Sequence, residues 1–207
     1  EIEPMSDGKD GSRELWKRVI NKTSMANNIE NYIIIENSNE EVLKEVKRIF
    51  TTATGECDVW TEELAKRVFG EEVPSVYDRE WYETNCGSKW MYGRIEDDSD
   101  GEQHITMTSA WDTVTGFIGR LAENLRKIKS DVVVYNTFED EGFNFSGVYF
   151  TTEHYTDTEW YEPLEDYDIE ELWESDEMME EYGDKLHQIL LDHKANYDEE
   201  LSYLTKS

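Results

Sequence analysis

The apolar pattern of this chain changes period several times, and the order of those changes restricts the fold more than any other feature. NYIIIE (31–36) is a short β-branched run bounded by asparagine, which predicts a strand. Asn39 then stands as a helix cap, and Val42, Leu43, Val46 and Ile49 recur at helical spacing as far as Phe50. A second helix is predicted from Thr61 through TEELAKRVFG, stopping at Gly70 with Pro74 beyond. KWMYGRIE (89–96) and HITMTSAW (104–111) alternate like strands on either side of the polar run DDSDGEQ. Residues 113–129 return to helical spacing, with Val114, Phe117, Ile118, Leu121 and Leu125 on one side. DVVVYNTFED (131–140) and FNFSGVYFTTEHY (143–155) close as a strand pair around a turn at Glu141 and Gly142.

Strand, helix, a further helix, two strands, helix and two strands is the order of an α+β fold. It predicts a ferredoxin-like split βαβ sandwich over residues 25–153, with an extra helix and an extra strand. Residues 1–24 read as a flexible or docking extension; within them Leu15, Trp16, Val19 and Ile20 form a short apolar stripe. Residues 154–168 read as an acidic linker. Residues 169–207 read as an amphipathic helical extension, with Gly183 marking a bend or break.

Four stretches carry a family resemblance: MANNIENYIIIEN (25–37), NCGSKW (85–90), TSAW (108–111) and EDEGFNFSGVYF (139–150). Together they resemble the YubB-like ferredoxin-like family of plasmids, phages and their bacterial hosts. Members of that family open with Met, a small residue and Asn before the first strand. They carry an Asn-aromatic-Gly-Thr-Lys-Trp motif, a strand ending in Ala-Trp, and a late Glu-Gly-x-x-Phe-x-Gly hairpin. Here Cys86 stands where the family has Trp, and Ser88 where it has Thr. The resemblance implies the fold and brings no enzymatic activity with it.

The residues of these motifs admit two readings. In the structural one, Asn85 closes an Asx-type turn, Gly87 takes positive φ, and the chain turns tightly into a strand at Lys89. Trp90 and Trp111 then sit on two strands of one hairpin, against Phe143 or Phe145, with Trp111→Ala costing several kcal/mol as buried tryptophans do. Gly142 supplies a turn and Gly147 a close approach. In the functional reading the same residues form a small aromatic pocket with Lys89 as its cation.

Other constellations are negative. Glu96, Asp98, Asp100 and Gly101 have the early spacing of a calcium loop, but its twelfth position falls on Met107 rather than a bidentate glutamate. His187 and His193 are six apart on a predicted helix and do not share a face. There is no P-loop, nucleophile elbow or Rossmann glycine set. No metal, no cofactor and no catalytic residue is therefore expected. Cys57 and Cys86 share no motif and are expected as free thiols in a reducing cytoplasm. No signal peptide and no apolar run of membrane-spanning length is visible.

Charge is the more informative property. The 207-residue chain carries a formal net charge of −29. Asp and Glu number 19 over residues 131–184, while no Lys or Arg lies between Lys129 and Lys185. Like charge at that density repels itself, and the chain sets Tyr149, Tyr155, Trp160, Tyr161, Tyr167 and Trp173 among it. Carboxylates steer a basic partner and aromatic rings anchor it. The expected partner-binding residues are Trp160, Tyr161, Glu170, Glu171, Trp173, Glu174 and Glu177.

Two functions follow as expectations. The first is a non-enzymatic binding protein of a phage or mobile element that engages a basic host protein, in the manner of a DNA mimic, and itself binds neither nucleic acid nor membrane. The second is a structural or assembly protein whose C-terminal helix makes homo-oligomers or docks in a larger particle.

Overall fold

The computed structural model describes residues 27–52, 59–96, 103–142 and 145–161, together with positions 175, 177, 178, 181, 182, 184, 185, 188, 192, 195 and 196. In chain order the elements are β1 (Asn28–Glu36), α1 (Glu40–Phe50), β2 (Val59–Trp60), α2 (Thr61–Phe69), α3 (Arg79–Cys86), β3 (Met91–Ile95) and β4 (Gln103–Ala110). These are followed by α4 (Thr115–Arg126), β5 (Val133–Asp140), β6 (Ser146–Thr151) and β7 (Thr156–Tyr161). The fold is α+β, with the four helices α1 to α4 and one open sheet of order β2-β3-β4-β1-β5-β6-β7. Every neighbouring pair is antiparallel.

Alternation along β1 decides the layering. Ile29, Asn31, Ile33 and Ile35 are buried, whereas Tyr32 between them is half exposed. The buried side meets the helices in one apolar cluster. Val42, Val46 and Ile49 of α1 and Phe117, Ile118, Leu121 and Leu125 of α4 pack there with Met107, Val134 and Phe138. Phe50 and Phe117 meet edge to face with ring centroids 6.2 Å apart, joining α1 to α4. At the head of α1 the Asn39 carboxamide oxygen accepts from the Val42 amide at 2.9 Å, as the sequence predicts.

Three elements depart from the sequence reading. Residues 79–86 form a helix, α3, where a tight turn is expected. Asp78 caps it by accepting from the Trp81 amide, and the Asn85 carboxamide donates back to the Trp81 carbonyl at 2.8 Å instead of closing an Asx turn. Gly87 does take positive φ (90°), but as the left-handed cap of that helix. Residues 156–161, read as part of an acidic linker, are β7, paired with β6 from Thr151–Thr156 to Ser146–Tyr161. Acidic residues at alternate positions suit a strand with one solvated side, so composition alone misleads there. The short edge strand β2 is likewise absent from the sequence reading, being only two residues long. Among the described residues no helix is long and apolar enough to cross a membrane.

The described positions from 177 to 196 are helical, and the rest of the expected helical extension at 169–207, apart from Ser175, lies outside the described residues. Tyr182 is buried there, and burial, followed by the nearby Glu139 carboxylate, pushes its phenol upward.

Candidate functional site

The residues of the NCGSKW and TSAW motifs do not come together as one pocket. Trp90 precedes β3 and Trp111 follows β4, and the two stretches meet at the backbone, where the Ala110 amide donates to the Trp90 carbonyl at 3.2 Å and the Ser88 hydroxyl bonds the Trp90 and Ala110 carbonyls. Trp111 is 51% exposed, with φ at 73°, because the chain leaves the sheet at this residue. The buried, load-carrying Trp111 of the sequence reading is therefore corrected. Lys89 does meet it, with Nζ 4.3 Å from the ring centroid, an exposed cation–π pair of about 0.5–1 kcal/mol. Trp111→Ala is accordingly expected to shift unfolding by no more than about 1 kcal/mol, a value that chemical denaturation resolves.

Phe145 packs elsewhere, against Phe138 with centroids 6.5 Å apart. Gly147 is the close approach that the sequence predicts, since a Cβ there would lie 2.4 Å from both the Glu159 carbonyl oxygen and the Phe138 ring. Gly142 lies in the turn after β5, its amide donating to the Asp140 carboxylate at 3.1 Å. Phe143 and the calcium-loop residues Asp98, Asp100 and Gly101 lie outside the described residues. Cys86 is a free thiol, buried on the core side of α3, and desolvation pushes it up to about 12, far from the range of a reactive thiolate.

Of the acidic partner-binding set, Trp160 and Tyr161 have their backbone on β7, opposite Gly147 and Ser146. Glu177 is helical and exposed. Glu170, Glu171, Trp173 and Glu174 lie outside the described residues.

The sequence reading missed the open face of the sheet. Helices cover one side. On the other side Tyr135, Val148 and Phe150 of β5 and β6 are buried, while the part formed by β3, β4 and β1 holds a groove of about 760 Å³. Glu30, Tyr32, Tyr92, Arg94, Glu96, His104, Thr106 and Thr108 line it. The register explains the assembly. Trp60 pairs with Tyr92, Tyr92 with Thr108, Thr108 with Glu30, and Glu30 with Glu139, so one row crosses the face from aromatic rings to carboxylates.

The rings form a ladder. Trp60 and Tyr92 lie 4.9 Å apart at 38°, and Trp90 and Tyr92 are 6.2 Å apart and nearly parallel, at 7°. Trp60 is 60% exposed. Beside them both Glu30 carboxylate oxygens accept from the Thr108 hydroxyl at 3.0 Å. Arg94 Nε donates to Glu96 at 2.9 Å, and the Thr106 hydroxyl donates to the same oxygen at 2.8 Å. Burial holds the Glu30 carboxyl above the ordinary range, against the Thr108 hydroxyl and with the help of Glu141. Burial does the same to Glu139, with Asp140 adding to it. The Tyr32 phenol is pushed up by burial and then by Glu30, Glu139 and Glu96.

Among the described residues no group of three or more His, Cys, Asp or Glu is placed to hold a metal ion. Exposed rings beside carboxylates form a surface for cations. Its sequence signal was the alternation of NIENYIIIE, which puts Glu30, Tyr32 and Ile34 together on the side away from the core. Comparison with protein-family models, with curated proteins and with solved structures gives no match.

Proposed function

We propose that this chain is a non-enzymatic binding protein that engages a basic protein through acidic, aromatic-bearing surfaces. The observation that carries this reading is the segregation of charge: 19 acidic residues and no Lys or Arg over residues 131–184 of a chain at −29. Such a block costs self-repulsion, which a basic partner would relieve. The framework is consistent with a ferredoxin-like core. The order β3-β4-β1-β5, with α1 after β1 and α4 between β4 and β5, supports reading a split βαβ core, with β2 added on one edge and β6 and β7 on the other. The resemblance to the YubB-like family supports a setting in a phage or mobile element, with action in a host cytoplasm. Carboxylates spaced along strand and helix would there stand in for DNA phosphates, one charge per ~1.7 Å of duplex axis.

The test is capture of a basic partner from host lysate at low and high salt, followed by kinetics with variants. Neutralising Glu170, Glu171, Glu174 and Glu177 together is expected mainly to slow association and flatten its salt dependence. Trp160→Ala or Trp173→Ala is expected mainly to speed dissociation. Unchanged binding in all three variants, or salt-sensitive binding of the parent to DNA or RNA, would defeat the proposal. Self-association without any captured partner would transfer the segment to an assembly role.

A further inference from the structure

We propose that the open sheet face is the seat of an arginine side chain from that basic partner, held flat on Tyr32 between the carboxylates of Glu30 and Glu139. The inference rests on the basic-partner reading and gives it a second site, where Glu139 of the acidic block stands opposite Glu30 of β1 and the buried Tyr182 lies near Glu139. Its first support is register. Glu30 and Glu139 stand directly opposite each other in the β1–β5 ladder, with the Tyr32–Thr137 pair beside them on the same side of the sheet. Like charges placed opposite each other destabilise a sheet, and here both are also partly withdrawn from water. The Glu139 side chain forms no hydrogen bond or ion pair among the described residues, and Glu30 has only the Thr108 hydroxyl. A cation placed between them would reverse the sign of the interaction.

The second support is shape and chemistry. Tyr32 is 50% exposed in the floor of the groove, with Tyr92 two strands away on the same side. An aromatic floor with carboxylates at its rim suits guanidinium better than ammonium. The planar group stacks on a ring while its N–H bonds lie in the plane of flanking oxygens, whereas a lysine ammonium is a strongly hydrated point charge. The face already pairs one guanidinium with a carboxylate, since Arg94 Nε donates to Glu96. Charge complementarity fixes the class of occupant: a protein segment carrying exposed arginine.

The test titrates the full chain with a short peptide alternating arginine and glycine, and with its lysine counterpart, following the tyrosine ring signals by NMR. The arginine peptide is expected to bind about fivefold tighter, the size of one exposed cation–π contact, and to move the Tyr32 signal. Glu30→Gln and Glu139→Gln are each expected to weaken it about tenfold, as loss of a charged hydrogen bond does. Tyr32→Ala should erase the preference for arginine.

A second readout separates recognition from scaffolding. The folded state raises both carboxyl pKa values, so it binds protons more readily than the unfolded chain, and each carboxylate destabilises the fold at pH 7. The Gln variants should therefore melt higher than the parent at pH 7, with the gain shrinking as pH falls through the raised folded-state values and gone below about pH 4.5, the ordinary glutamate value. Tighter folding with weaker binding is what a binding carboxylate gives. Equal binding of the two peptides by parent and variants would overturn the proposal. So would a Tyr32 signal that moves with protein concentration alone, since that assigns the face to a second copy. If only the Glu170, Glu171, Glu174 and Glu177 variant loses the arginine peptide, the open-face site falls and the basic-partner reading stands. If the parent binds neither peptide, both fall.

Discussion

Replacing Asn31 with leucine is expected to cost about 3–5 kcal/mol of folding stability, from several buried polar groups that each lose a hydrogen bond. Asn31 is fully buried in the middle of β1, on the helix side of the sheet. Its Nδ2 donates to the Ile29 carbonyl at 3.1 Å, the Ser109 hydroxyl at 3.0 Å and the Met107 carbonyl at 3.3 Å. Its Oδ1 accepts from the Thr113 hydroxyl at 2.7 Å, the Asn136 carboxamide at 3.2 Å and the Val114 amide at 3.5 Å. The carboxamide thus joins β1, β4 and β5 to the start of α4, a helix whose own N-cap residue, Val114, offers no side-chain cap. Leucine matches the volume and none of the bonds. It would take the acceptor from the Thr113 hydroxyl and leave the Asn136 amide only its 3.4 Å bond to Thr113 Oγ1, in a core where Asn136 Oδ1 already lacks a partner. Urea unfolding measures the loss directly. A value below about 1 kcal/mol would mean that the network relaxes around the change instead of holding its geometry.

The contrast between Asn31 and its neighbours shows what was legible in the sequence. Local periodicity gave β1, α1, α2, β4 and α4 to within a few residues, because each buries one apolar side against the same core. Asn31 reads in sequence as the polar boundary of IIIE, yet β1 begins at Asn28, so that boundary is in fact a core position. Nothing local distinguishes the two, because all of its partners except the Ile29 carbonyl are 76 to 105 residues distant in the chain. The open face was hidden for the same reason. Glu30, Tyr92 and Trp60 are ordinary surface residues singly, and only the register of β1, β4, β3 and β2 sets them in a row. Conversely, Trp90 and Trp111 invite a shared role by their spacing and receive separate ones. Trp90 stacks in the ring ladder, and Trp111 pairs with Lys89 at the exit of β4. Charge, being a sum over sequence, needs no fold to be read; where it lies on the surface does.

Gly87→Ala is expected to cost about 2–4 kcal/mol, combining left-handed backbone strain with overpacking. Gly87 has φ 90° and ψ −13°, and a Cβ there would lie 2.5 Å from the Thr113 carbonyl oxygen. The crowding is mutual: a Cβ on Gly116 would lie 2.5 Å from the Asn85 carbonyl oxygen and 3.1 Å from the Cys86 carbonyl carbon. The end of α3 and the first turn of α4 therefore touch backbone to backbone, with no side chain able to move aside. Gly116 lies inside a helix, where alanine is favoured over glycine by about 1 kcal/mol, so Gly116→Ala should cost less than Gly87→Ala. Once one substitution has parted the helices the second meets open space, so the double variant should fall short of the sum of the singles. Thr113 links this contact to Asn31, and the chain from Gly87 runs directly through Lys89 to the Trp90 of the ring ladder. Parting the helices should thus also change Trp90 fluorescence in the folded state. A Gly87→Ala variant with the parent's stability and emission would show that α3 is free to shift against α4, and that the ladder is placed by β3 alone.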